Sequence, residues 1–212
     1  MHATSMLCMK HCLEKYLLGT PGLKILDMGS YDVNGTYRSL LPADVDYTGM
    51  DMARGPNVDF VPKDIYNWKE LKSDSFDAVL SGQAFEHTEF FWLTAAEMAR
   101  ILKPGGILIL IAPNHFPYHS YPVDCWRFEV DGMVAISRWA GLEPLHATAG
   151  LLPQNFSPMA PEFFSDAVLV ARKPKDWKGT LSTAGYACVP ADKVALGNGW
   201  IKPTGHFPPS GW

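Results

Sequence analysis

The stretch Lys24–Gly35 reads KILDMGSYDVNG, and its reading decides the fold. An apolar run stops at an acid, Asp27, and then at Gly29, before a loop carries the chain to Gly35. Chains that hold a nucleotide beyond the end of a first β-strand have this pattern. A phosphate binder, however, wants bare backbone and positive potential where Asp27 stands.

Outward from this point, strands and helices alternate. A strand is expected at Leu23–Met28, followed by a short helical piece at Tyr37–Leu41 and strands at Asp46–Met50, Asn57–Val61 and Phe76–Ser81. A helix is expected over Thr88–Leu102, with Thr88 as N-cap and Lys103-Pro104-Gly105-Gly106 as its stop. Ile107–Ile111 is apolar throughout, as a strand buried on both faces should be. A helix at Val130–Ala140 with Gly141 just beyond it precedes two last strands, Leu142–Ala147 and Asp166–Ala171. Before the first strand, Met6–Leu18 has helical spacing of apolar residues. The pattern predicts an α/β fold: a doubly wound, mostly parallel seven-stranded sheet of Rossmann-like form. The expected organisation is an N-terminal helix in 1–22, a cofactor-binding domain in 23–172, and a Gly/Pro/Trp-rich tail in 173–212 that could join two copies into a homodimer.

Composition narrows the partners. The 212 residues are 47% hydrophobic, enough for one sizeable core, and the net charge of −4 argues against a general nucleic-acid binder. The longest apolar run, Ile107–Ala112, is far too short to cross a bilayer, and the first residues do not read as a signal peptide. Cys8, Cys12, Cys125 and Cys188 form no disulfide framework, so a reducing, cytoplasmic compartment fits. Cys8, His11 and Cys12 share one helical turn; a metal there is conceivable, but such cysteines are more commonly small buried hydrophobes.

In a doubly wound sheet the ligand lies beyond the carboxyl ends of the strands. Three of those ends carry acids: Asp27, Asp51 and Asp64. A nicotinamide dinucleotide fits poorly, because Tyr31 occupies the place of the second glycine and Asp27 would face phosphate. Like charges at that range cost on the order of 4 kcal/mol at an intermediate dielectric. S-adenosylmethionine has no phosphate and carries an ammonium and a sulfonium. Asp27, Met28 and Gly29 would take its methionine end, Asp51 the ribose hydroxyls and Asp64 the adenine amino group, with Met52 and Ile65 flanking the ring.

The tracts KILDMGS, YTGMD, PKDIYNW, FDAVLSGQAFEH and MARILKPGGILILIAPN, in this order and spacing, resemble class I S-adenosylmethionine-dependent methyltransferases of the type 11 group. The resemblance runs from Leu23 to Arg172 and departs from the usual pattern at Tyr31. It implies that Asp27 and Gly29 belong to the first cofactor loop, that Asp51 is the ribose acid and Asp64 the adenine residue, and that Gln83 passes the donor sulfur. It also implies that Glu86 and His87 line the acceptor side.

Methyl transfer from a sulfonium requires alignment and, for a hydroxyl acceptor, removal of a proton. Candidate groups are His87 and the long segment Pro113–Phe128, which holds His115, His119, Asp124 and Arg127. Asp124 and Arg127 are spaced to form a charge pair that either serves the chemistry or pins the loop. A divalent metal on Gln83, Glu86 and His87 is conceivable, but hard cations want more carboxylates and no metal is assigned. Neither an Asn/Asp-Pro-Pro-aromatic tract nor a Pro-Cys follows the fourth strand, which disfavours amino-base and C5-cytosine methylation of nucleic acid. The expected substrate is a small molecule bearing a hydroxyl, such as a sugar or natural product. The competing readings are a nicotinamide-dependent oxidoreductase and a non-catalytic cofactor-binding or interaction protein.

Overall fold

The structure, a computed structural model, describes residues 3–150 and 165–180. Its strands are β1 (Lys24–Met28), β2 (Asp46–Met50), β3 (Phe76–Gly82), β4 (Leu102–His115), β5 (Glu143–Gly150) and β6 (Ser165–Arg172), and its helices α1 (Ala3–Tyr16), α2 (Phe91–Ile101) and α3 (Val130–Trp139). They form one sheet in the order β2-β1-β3-β4-β6-β5. The pairs β1–β2, β1–β3 and β3–β4 are parallel, and β6 runs antiparallel to both β4 and β5.

Strand periodicity sorts the apolar side chains onto two faces. Leu26, Val79, Leu108, Leu110 and Leu169 join the core beneath α2 and α3. Their neighbours Ile25, Ala78, Leu80, Ile109, Ile111, Val168 and Val170 join the core beneath α1. Both faces of the central strands are therefore dry, which is why β3, β4 and β6 read as continuous apolar runs. Cys8 and Cys12 are buried in the α1 core, and burial pushes both thiols up, Cys12 to about 12. They are packing residues rather than metal ligands.

The sheet has six strands among the described residues, not seven. The expected strand at Asn57–Val61 is reduced to a single parallel bridge between Met50 and Phe60. Pro56 and Pro62 bracket it without backbone N–H groups, and Asn57 sits at φ 65°. Helix α2 starts at Phe91 because the Thr88 hydroxyl bonds the Ala84 carbonyl at 2.9 Å instead of capping. Residues 85–87 form a 3₁₀ turn, and another at Tyr37–Leu40 stands where a doubly wound fold usually has a full helix after β1. The Lys103–Gly106 turn is absorbed into β4.

Lys173 and Trp177, the first part of the expected tail, pack on the body. The buried Lys173 ammonium bonds Asp74 Oδ1 at 2.7 Å and the Arg100 and Leu102 carbonyls at the end of α2, and lies 4.1 Å from the Trp177 ring centroid. Trp177 in turn donates to the Ala140 carbonyl just past α3. Cys188 and the remainder of the tail, with any dimer contact there, lie outside the described residues. Among the described residues no helix is long and apolar enough to cross a membrane.

Candidate active site

The parallel strands bring their carboxyl ends to one edge, and the loop after β1 leaves there. Gly29 takes φ 80°, and its N–H bonds the Met50 carbonyl at 2.9 Å. A Cβ on Gly29 would lie 2.4 Å from the Ala84 Cβ, so only glycine lets this loop close on the chain leaving β3. Tyr31, the departure from the family pattern, has a defined place. Its ring lies against Gly55, where an added Cβ would meet it at 2.0 Å, and its N–H donates to Asp51 Oδ2 at 3.1 Å. Aromatic packing across the crevice rim thus replaces the usual glycine.

Asp27 is fully buried and accepts a 2.6 Å hydrogen bond from the Tyr47 hydroxyl. It shares the strand face of Ile25, directed toward the α1 side, so it does not stand open in the crevice. Burial, with the Asp51 charge adding to it, pushes its carboxyl up to about 7 against the pull of the Tyr47 bond and Arg38. Asn57 donates to the same Tyr47 hydroxyl and to the Ser30 carbonyl, tying the first loop to the segment after β2. Arg38 lies over the Tyr47 ring at 4.3 Å and pairs with Asp59.

Asp51 is part-exposed at the end of β2; Oδ2 accepts the Tyr31 N–H and Oδ1 the Ala53 N–H. A carboxylate has lone pairs beyond these two. Met52 and Ile65 are 57% and 42% exposed, apolar surface left open where a ring would be flanked. Asp64 is exposed, with Oδ1 accepting the Tyr66 N–H. Gln83 takes φ 55°, and its amide donates to Asp166 Oδ1 at 2.9 Å, so it joins β3 to β6. Asp166 is pushed up to about 6 by burial.

Two residues past Ala84, Glu86 is fully buried, and neither of its carboxylate oxygens has a hydrogen-bond partner. Burial pushes this carboxyl up to about 8. His87 Nε2 lies 3.6 Å and His119 Nε2 4.0 Å from Glu86 Oε1. The two imidazoles meet edge to face at 5.0 Å. His87 Nδ1 is 2.6 Å from the Val123 carbonyl, and His119 Nδ1 is 3.0 Å from the Pro117 carbonyl. A carbonyl only accepts, so each Nδ1 carries the proton and each Nε2 offers a lone pair toward Glu86. Desolvation holds His87 below its ordinary value.

His119 comes from the long segment after β4. Asp124 and Arg127 pin that segment: the guanidinium makes a bidentate pair with Asp124 at 2.6 and 2.8 Å and also bonds the Phe116, Pro117 and Trp126 carbonyls. The Arg127 charge holds the Asp124 carboxyl well below the usual range. Asp124 Oδ2 also accepts the His119 N–H at 2.6 Å, and the Cys125 N–H reaches back to the Glu86 carbonyl at 2.7 Å. The valences of Asp124 and Arg127 are thus spent on shaping the loop. His115 is exposed at the end of β4 and does not join the cluster. Sequence reasoning placed Glu86 beside the acceptor only by resemblance. Its fully buried, unpaired state had no signal in the sequence.

The model of a family described as a methyltransferase domain matches residues 32–110. No curated protein sequence matches. Solved structures share the fold, three of them as follows. The 1,6-didemethyltoxoflavin N1-methyltransferase of Burkholderia thailandensis, with S-adenosylhomocysteine bound, is 18% identical over 81% of this chain and 79% of its own, with a TM-score of 0.60. The [4+2]-cyclase SpnF is 17% identical over 80% and 81%, with a TM-score of 0.61. Phosphoethanolamine N-methyltransferase 2 of Haemonchus contortus, also with S-adenosylhomocysteine, is 13% identical over 79% and 52%, with a TM-score of 0.59. The family match covers less than half of the chain, from within the loop after β1 into β4, and the solved structures show that the sheet around it has the same fold.

Proposed function

We propose that the enzyme moves a methyl group from S-adenosylmethionine to a hydroxyl oxygen of a small molecule such as a sugar or natural product. The observation that carries the choice of acceptor is the cluster of Glu86, His87 and His119. Two imidazole lone pairs and an unpartnered carboxyl converge two residues beyond Ala84, which itself touches the cofactor loop. An amine acceptor needs no base once neutral. An alcohol or phenol must lose a proton as its oxygen attacks, and this cluster can take it. The oxygen forms a bond to the methyl carbon, the carbon–sulfur bond breaks, and the electron pair leaves on sulfur as a thioether.

Asp51 would hold the ribose hydroxyls and Asp64 the adenine amino group, with Met52 and Ile65 on the ring faces. Gly29 would bring the backbone to the methionine end beside Met28. Asp27 lies behind that loop; with its proton affinity near neutrality, an approaching ammonium would draw it into the ionised form. Asp124 and Arg127 would act as positioning residues through His119, and His115 would have no part in the proton transfer.

The test is labelled methyl transfer against a panel of phenols, sugars, amines, nucleic acid and protein. Label should enter hydroxyl compounds, and His87→Ala should lose turnover while keeping S-adenosylhomocysteine. Labelling of amines, nucleic acid or protein alone would refute the choice of acceptor. The oxidoreductase reading predicts NADH binding by calorimetry, which this account says is absent.

A further inference from the structure

The spacing of the Glu86 cluster is wrong for hydrogen bonds. The two Nε2 atoms stand 3.6 and 4.0 Å from the same carboxylate oxygen, beyond hydrogen-bond reach, and all three ligand atoms lie within 4.8 Å of one another. Each imidazole is fixed through Nδ1–H on a backbone carbonyl, the arrangement that turns the opposite nitrogen into an oriented ligand. The third group is a carboxyl sealed from water with both oxygens unmatched. Such a group calls for a cation or a donor that the described residues do not supply.

We infer that Glu86, His87 and His119 bind a divalent first-row transition metal ion. Two imidazoles and one carboxylate suit zinc, iron(II), cobalt(II) or manganese(II), whereas magnesium and calcium prefer oxygen ligands throughout. This set differs from the one expected from sequence, since Gln83 is turned to Asp166 and His119 takes its place. A fourth position can open outward, because the His87 and His119 side chains remain 16% and 30% exposed. The Asp124–Arg127 pair acquires a purpose here. It sets the loop that delivers His119, and Asp124 holds the His119 backbone directly.

The use of the ion rests on the hydroxyl-directed reading above. The acceptor oxygen would take the open position, lose its proton to bulk water under the pull of the ion, and attack as the bound anion. In that form the two Nε2 lone pairs ligate the ion rather than accept the proton.

The test strips the full chain with a chelator and titrates it with cobalt(II). Visible d–d bands should saturate at one ion per chain, and zinc(II) should displace them. His119→Ala and His87→Ala should each weaken cobalt binding by well over 100-fold, beyond the roughly 10–100-fold typical of outer partners. His115→Ala should bind as the unaltered protein does. S-adenosylhomocysteine binding by His119→Ala, measured in parallel, confirms that this variant is folded. Absence of bands, or bands that survive unchanged in both histidine variants, would overturn the site. Full labelled transfer after chelation would overturn the use of the ion while leaving hydroxyl methylation standing. Histidine-dependent cobalt binding without transfer to any hydroxyl compound would support the site and sink the acceptor reading instead.

Discussion

Asp27 and Gly29 show how little space the cofactor loop leaves. Gly29→Ala needs both a positive φ and room that the Ala84 Cβ occupies, so loop and β3 must separate. This substitution should abolish S-adenosylhomocysteine binding by calorimetry. Asp27 makes a prediction about pH. Its carboxyl stands at about 7 in the fold and near 3.8 when unfolded, so the fold holds the proton more tightly. Its contribution to stability is therefore greatest below about pH 4 and is lost as pH rises toward 7. Asp27→Asn should raise the unfolding free energy at pH 8 by roughly 1–4 kcal/mol and change it little at pH 4, as measured by urea titration at both values. At this scale the sequence was legible where backbone alone decides, as at Gly29. The partners of Asp27 were not legible. Tyr47 sits on the neighbouring strand, and only the parallel register of β1 and β2 brings its hydroxyl to the acid.

Elements were legible in proportion to how far their own periodicity fixes them. β1, β3 and β4 bury both faces and announce themselves as apolar runs. The segment at Asn57–Val61 also offers Val58, Phe60 and Val61, but its bracketing prolines and the left-handed Asn57 allow only one bridge. The joint between α2 and the residues after β6 was hidden for another reason: it depends on a lysine whose neighbours lie far away in sequence. Lys173 completes the α2 terminus by bonding the Arg100 and Leu102 carbonyls and Asp74. Lys173→Met leaves those acceptors unmatched and should cost about 2–4 kcal/mol by chemical denaturation. The loop after β4 tests differently. Asp124→Asn removes the charge that the Arg127 fork grips. It should speed proteolytic nicking within residues 116–129 and lower kcat, while the affinity for S-adenosylhomocysteine stays the same. A loop whose shape did not depend on this pair would show no change in nicking.

The whole molecule divides its labour along one edge of one sheet. Apolar packing under α1 on one face and α2 with α3 on the other fixes β1, β2, β3 and β4 in parallel. Their carboxyl ends then carry Asp51 and Gly29 on the β1–β2 side and Glu86 with His87 beyond β3. The position of the first group was readable because its residues follow strand ends in order. The convergence of Glu86 with His119 was not, since it depends on the path of a loop that periodicity does not describe. In the proposed function, one crevice holds the donor over β1 and β2 with its sulfur toward the Glu86 cluster. A crystal structure with S-adenosylhomocysteine measures this directly. Both ribose hydroxyls are expected on Asp51, with the sulfur facing the side of Glu86, His87 and His119. A nucleoside seated elsewhere, or a sulfur directed away from that cluster, would contradict it.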